Sequence, residues 1–167
     1  YVIPDKGEEG TYICYNEKDM LNILALESHL NKCVVVGECI GNVAGGFKEM
    51  LTSRNIYSLG VLWVERKDEN GTLKAPHEYE AKYFASVGTH DMPPLKAWWY
   101  GTEIGIMKDL GLFTEEEARG GYGWREHERR LLLSALDNER VWPEDRYRHS
   151  DYLYGDGYPE GIEEAVH

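Results

Sequence analysis

Helices alternating with short apolar strands predict an α/β chain laid on a parallel sheet. The run Cys33-Val34-Val35-Val36-Gly37 has the β-branched make-up of a strand covered on both faces. Two more apolar runs, at 56–65 and 83–88, are separated from it and from each other by helical or turn-rich stretches. That makes about three strands, too few to close an eight-stranded barrel.

Residues 1–15 mix Gly, Pro and Tyr and read as a loop. Asn16 is a fitting N-cap, with Glu17 and Asp19 in the first turn, where the helix dipole favours acids. Residues 17–30 then read as a helix whose Met20, Leu21, Ile23, Leu24, Leu26 and Leu30 cover a wide apolar face, so a well-buried helix is expected. After the first strand, residues 43–53 suit a short helix weakened by Gly45 and Gly46. Lys67-Asp68-Glu69-Asn70-Gly71 is turn material.

The helical pattern returns at 95–109. Thr114 and Glu117 have capping-box spacing for a short helix. Residues 125–137 form a stronger helix, with Glu126 and Arg130 at the favourable i,i+4 spacing. Residues 138–159, rich in Tyr, Asp, Arg, Gly and Pro, read as an exposed loop, and a last helix is expected near Glu160. The acid-rich stretch 160–164 reads as one face of it.

A chain of 167 residues fits within one ordinary domain. Its 30 acidic against 18 basic residues give a net charge of -12, which repels nucleic acid and anionic lipid and leaves neutral substrates such as sugars. No nucleic-acid or membrane partner is expected. Cys14, Cys33 and Cys39 are odd in number and form no C-x-x-C pair, so a reducing cytoplasm is expected and a disulfide framework is not. No apolar run is long enough for a membrane span. The start at Tyr1 without Met and the stop at His167 after an acidic stretch read as the ends of an internal piece of a longer chain.

In parallel α/β folds, reactive side chains gather at the C-terminal ends of strands. The first strand delivers Glu38, and the third runs into Thr89-His90-Asp91. Two carboxylates over one ligand are the minimal equipment for breaking a glycosidic bond: a protonated one assists the leaving oxygen, an ionised one steadies the cationic transition state. Partial desolvation after the valine run is expected to raise the pKa of Glu38 toward the acid role. Asp91 with His90 suits stabilisation and contact with sugar hydroxyls. The plain alternatives are a helix-cap carboxylate at Glu38 and a loop hydrogen bond at His90-Asp91.

At these residues a family resemblance emerges. Gly37-Glu38-Cys39-Ile40-Gly41-Asn42-Val43 resembles the G-E-D-L-G-x-V segment of the 4-alpha-glucanotransferases, or amylomaltases. Thr89-His90-Asp91-Met92-Pro93 resembles their T-H-D-L-P segment, and Ile23-Leu24-Ala25-Leu26-Glu27-Ser28 their I-L-A-L-E-S stretch. Trp98-Trp99 and Gly101 fall where that pattern has an aromatic pair and a glycine.

The resemblance implies a partial (β/α)8 TIM barrel of the alpha-amylase type. Residues 1–167 would be a partial catalytic domain, roughly from the helix before strand five through the region before strand eight. It implies retaining double displacement that moves alpha-1,4-glucan segments between maltodextrins, with no cofactor. By motif position, Glu38 is similar to the general acid/base, Asp91 to the transition-state stabiliser and His90 to a sugar contact. The family's nucleophile lies in an R-x-D-H segment, which this chain lacks. Cys39 and Ile40 replace the usual Asp and Leu; Gly88, Met92 and Pro94 replace Ser, Leu and Thr.

Trp98 and Trp99 are candidates to stack a glucose ring, against helix packing as the alternative. Tyr12 and Tyr15 are candidates to line the cleft, against a plain surface role. His77, His127 and His149 read as solvated or structural. Glu38, His90 and Asp91 with another His is a conceivable metal set, but no H-E-x-x-H spacing supports it and no metal is expected. Two other functions stay open: a sugar-binding fragment without turnover, and a related alpha-glucan hydrolase.

Overall fold

The computed structural model describes residues 2–3, 10–11, 13–41, 43–142, 157–159 and 161–167. They fall into two compact units: Tyr1–Gly60 with Glu80–Phe84, and Val61–Tyr79 with Ala85–His167. The three strands β1 (Val36–Gly37), β2 (Tyr57–Val61) and β3 (Tyr83–Ser86) form one sheet in the order β1-β2-β3. β1 and β2 are parallel, Val36 opposite Tyr57 and Gly37 opposite Ser58, as the alternating pattern predicts.

In the first unit, α1 spans Glu17–Asn31. Asn16 occupies the N-cap position, but its side-chain amide donates to Asp19 Oδ2 at 2.5 Å instead of accepting from the helix backbone. Lys32, in the left-handed region at φ 52°, ends the helix, and Ser28 Oγ donates to Cys33 O at 2.6 Å. Only Leu21 of the expected apolar face is buried; Met20, Ile23, Leu24, Leu26 and Leu30 are exposed. The expectation of a well-buried helix is corrected, because the unit's core is small: Leu21, Cys39, Leu51 and Ile56, with Val35, Val43, Phe47 and Met50 against it.

α2 (Phe47–Ser53) begins only after Gly46, whose φ of +80° lies outside helical space. Its Leu51 presses on β1: a Cβ on Gly37 would stand 3.2 Å from Leu51 Cδ1. Ser58 N donates to Lys82 O at 3.0 Å, and Lys82 Nζ donates to Thr52 O and Asn55 Oδ1, both at 2.8 Å.

In the second unit, Leu62 N donates to Ser86 O at 2.9 Å. From Ser58–Lys82 to Leu62–Ser86, donor and acceptor both advance by four residues, the sense of a parallel pair. β2 is shorter than the predicted 56–65, because Val64 N and Glu65 N both turn back to Val61 O at 2.9 Å. The predicted turn is present: Asp68 Oδ1 accepts from Asn70 N and Thr72 N at 3.0 and 3.1 Å. Buried Glu65 is ion-paired with Lys74.

The helical pattern at 95–109 is two helices, α3 (Leu95–Tyr100) and α4 (Thr102–Asp109). Gly101, at φ +64°, breaks it, and a Cβ there would meet Tyr122 Cε1 at 2.9 Å, so both conformation and space demand glycine. The two helices read at 114–137 are instead one, α5 (Glu115–Glu139). Its capping box forms as expected: Glu117 N donates to Thr114 Oγ1 at 3.2 Å, and Thr114 N donates to Glu117 Oε2 at 2.7 Å. The Glu126–Arg130 pair forms too.

Leu132, Leu133 and Leu136 of α5 meet Leu73, Trp98, Trp99, Trp142 and Ile162 in the larger core. Ile162 opens the last helix, α6 (Ile162–Val166). Of the predicted loop 138–159, residues 138 and 139 still belong to α5, Trp142 is buried, and 143–156 lie outside the described residues. Among the described residues no helix is long and apolar enough to cross a membrane.

Candidate functional site

Glu38 follows β1 directly and is exposed. Its neighbour Cys39 is turned into the first unit's core at 6% exposure. The side chain of Glu38 stays on the solvent side. The valine run does not enclose the carboxylate: Val34 is itself exposed. The expected desolvation of Glu38 is therefore corrected. Gly41, at φ +84°, turns the chain beyond it, and Val43 N donates to Gly41 O at 2.9 Å.

In the second unit, β3 ends at Ser86, whose hydroxyl donates to Gly88 O at 2.7 Å. Thr89 then organises a tight turn: its Oγ1 accepts from Asp91 N at 3.2 Å, and its carbonyl accepts from Met92 N at 3.1 Å. The turn presents His90 and Asp91 outward, both side chains 77% exposed, with His90 Nε2 3.3 Å from Asp91 Oδ1. At such exposure the contact orients more than it stabilises. Both groups of the pair stay open to solvent on the rim of the turn.

Trp98 and Trp99 are 4% and 1% exposed, core side chains of the second unit. Trp98 stacks on Trp63, centroids 4.0 Å apart, and the Arg125 guanidinium lies 4.8 Å from the same ring. Trp99 Nε1 donates to Gly157 O at 3.1 Å. Neither indole offers a free face, so the sugar-stacking expectation is replaced by packing. Tyr15 lies before α1 and is exposed, while Tyr12 falls outside the described residues.

His77 is exposed in a 3-10 turn, Pro76–Glu78, and His127 Nε2 lies 3.3 Å from Asn70 O. His149 lies outside the described residues. Sequence reasoning passed over Trp63, taken as one more apolar residue of a strand, and Arg125. The guanidinium of Arg125 ties α3, α4 and α5 together through Trp98 O, Glu103 and Glu128. A tryptophan just past a strand's C-terminal end was the signal available.

A family model described as 4-alpha-glucanotransferase matches residues 1–163. Proteins named 4-alpha-glucanotransferase from Mycobacterium bovis and Mycobacterium tuberculosis are each 32% identical over 170 residues, covering 98% of this chain and 22% of theirs. One of the same name from Haemophilus influenzae is 29% identical over 135 residues, covering 81% of this chain and 19% of its own. The chain thus spans about a fifth of the length of these relatives. The crystal structure of amylomaltase from Corynebacterium glutamicum superposes with a TM-score of 0.73 at 24% identity, over 86% of this chain and 21% of that one. The fold is accordingly that of a partial TIM barrel.

Proposed function

The chain belongs to the 4-alpha-glucanotransferase family, and from that premise we propose that residues 1–167 are part of the catalytic barrel of an enzyme that moves alpha-1,4-glucan segments between maltodextrins. In this reading they run roughly from the helix before strand five to the region before strand eight. Glu38 in its acid form protonates the departing glycosidic oxygen, and as carboxylate it later takes the proton from the acceptor hydroxyl. Asp91 stays ionised and stabilises the oxocarbenium-like charge, while His90 contacts the bound sugar. A nucleophile outside residues 1–167 forms the covalent glycosyl-enzyme that makes the displacement retaining.

One observation carries the reading. Each matched segment ends a strand with an exposed carboxylate just beyond it, Glu38 after β1 and Asp91 after β3, within a chain that the family model covers almost throughout. The exposed thiols of Cys14 and Cys33 favour a reducing cytoplasm as the compartment. The net charge of -12 favours a neutral glucan over nucleic acid or an anionic membrane surface.

The test is incubation with maltotriose of a polypeptide of the relatives' length that contains this segment. Longer maltodextrins together with glucose are expected. Glucose without chain lengthening would mean a hydrolase, and saturable binding without products would mean a sugar-binding protein; either overturns the reading.

A further inference from the structure

The turn that presents Asp91 is short, exposed at His90 and Asp91 and half-buried at Gly88, Thr89 and Met92. What holds it is therefore a question of what lies beneath. Gly88, at its base, has Trp63 beside it: a Cβ built on Gly88 would stand 3.9 Å from Trp63 Nε1 and 3.6 Å from Met92 Cβ. Trp63 is a plate in a column. It stacks on Trp98 at 4.0 Å with an interplanar angle of 22°, and the Arg125 guanidinium lies 4.8 Å from the Trp98 ring. Arg125 is in turn fixed by Glu103 of α4 and by Glu128, its neighbour on α5. Stacked aromatics and a paired guanidinium make a stiff support, with few rotamers open to any member.

We infer that Trp63 is a positioning residue for the proposed stabiliser, holding the 88–92 turn so that Asp91 meets the reacting sugar at a fixed height. The inference rests on the proposed glucan transfer for its catalytic consequence, but not for the support itself. Trp63 approaches the turn at Gly88, and it acts on Asp91 through the backbone there. A small displacement of a charge-stabilising group is enough to slow chemistry strongly while leaving remote substrate contacts intact.

Trp63→Phe keeps an aromatic plate on Trp98 but withdraws the indole N–H edge from Gly88, so the melting temperature should stay close to wild type. In the polypeptide of the relatives' length, kcat for maltotriose disproportionation is expected to fall about 10- to 100-fold with KM changed less than about threefold. Deuterium uptake over residues 86–94 should quicken while that of 130–137 stays unchanged. Gly88→Ser, whose Cβ meets only ordinary contact distances, should be near neutral alone, yet should restore part of the loss in the Trp63→Phe background. That non-additivity is the signature of direct coupling.

Wild-type kcat and wild-type exchange in Trp63→Phe overturn the inference, as do strictly additive effects in the double variant. If wild type shows no transfer, the proposed function falls. The exchange comparison then decides the support by itself: faster uptake over 86–94 upholds it, and unchanged uptake ends it.

Discussion

Cys39 stands where the family segment carries an aspartate, and here it is packed among Leu21, Leu51 and Ile56. Cys39→Asp would therefore put a carboxylate among apolar side chains. The expected cost is about 3 kcal/mol, read as a lower urea midpoint, with Cys39→Ala milder. An unchanged midpoint in Cys39→Asp would contradict this packing. The same residue explains what was legible at this scale. The motifs located Glu38 and Asp91 at strand ends. The surroundings of Glu38 were misjudged because a valine run says that a strand is apolar, not that its last side chain is enclosed. Trp98 and Trp99 were read as undecided between sugar stacking and packing. What decides for packing is Trp63 and Arg125, residues remote in sequence whose approach no local pattern reveals.

For the helices, start signals were legible and continuity was not. The Thr114–Glu117 box was visible in the sequence and is present. The two helices read between 114 and 137 are one, α5, which runs unbroken through the glycines at 120, 121 and 123. Gly121 is a contact surface: a Cβ there would stand 3.3 Å from Ile104 Cγ2, so the missing side chain admits α4. Conversely, Gly101 splits a pattern that read as one helix, because Tyr122 of α5 occupies the space above it.

The capping box also carries a pH dependence. Glu117 accepts from the Thr114 backbone N–H and then its hydroxyl, which lowers its pKa below the ordinary 4.5. A carboxyl depressed in the folded state adds stability that is present above its unfolded value and lost as pH falls through the folded one. The first turn of α5 should thus fray as pH falls below about 4.5. Cα chemical shifts of residues 115–118 followed from pH 6 to 3 check this. Glu117→Gln should reduce the pH dependence to what Glu115 and Glu116 contribute, and equal titration curves in both proteins would contradict it.

On the scale of the whole molecule, the parallel α/β order and the count of three strands were readable, since each strand is a local apolar run. Whether α1 is covered was not readable. Its face carries Met20, Ile23 and Leu30 at 61%, 61% and 64% exposure. Apolar surface of that kind drives association when left open. Residues 1–167 expressed alone should self-associate, giving species heavier than 19.2 kDa in light scattering. A monodisperse monomer with a cooperative melt would contradict that.

The proposed glucan transfer stands on proton exchange at Glu38. Its most direct test is the maltotriose disproportionation rate of Glu38→Gln in the polypeptide of the relatives' length, measured beside maltotriose binding. A rate loss of about 10²- to 10⁴-fold is expected, with binding retained. A Glu38→Gln protein that transfers glucan at the wild-type rate would contradict it.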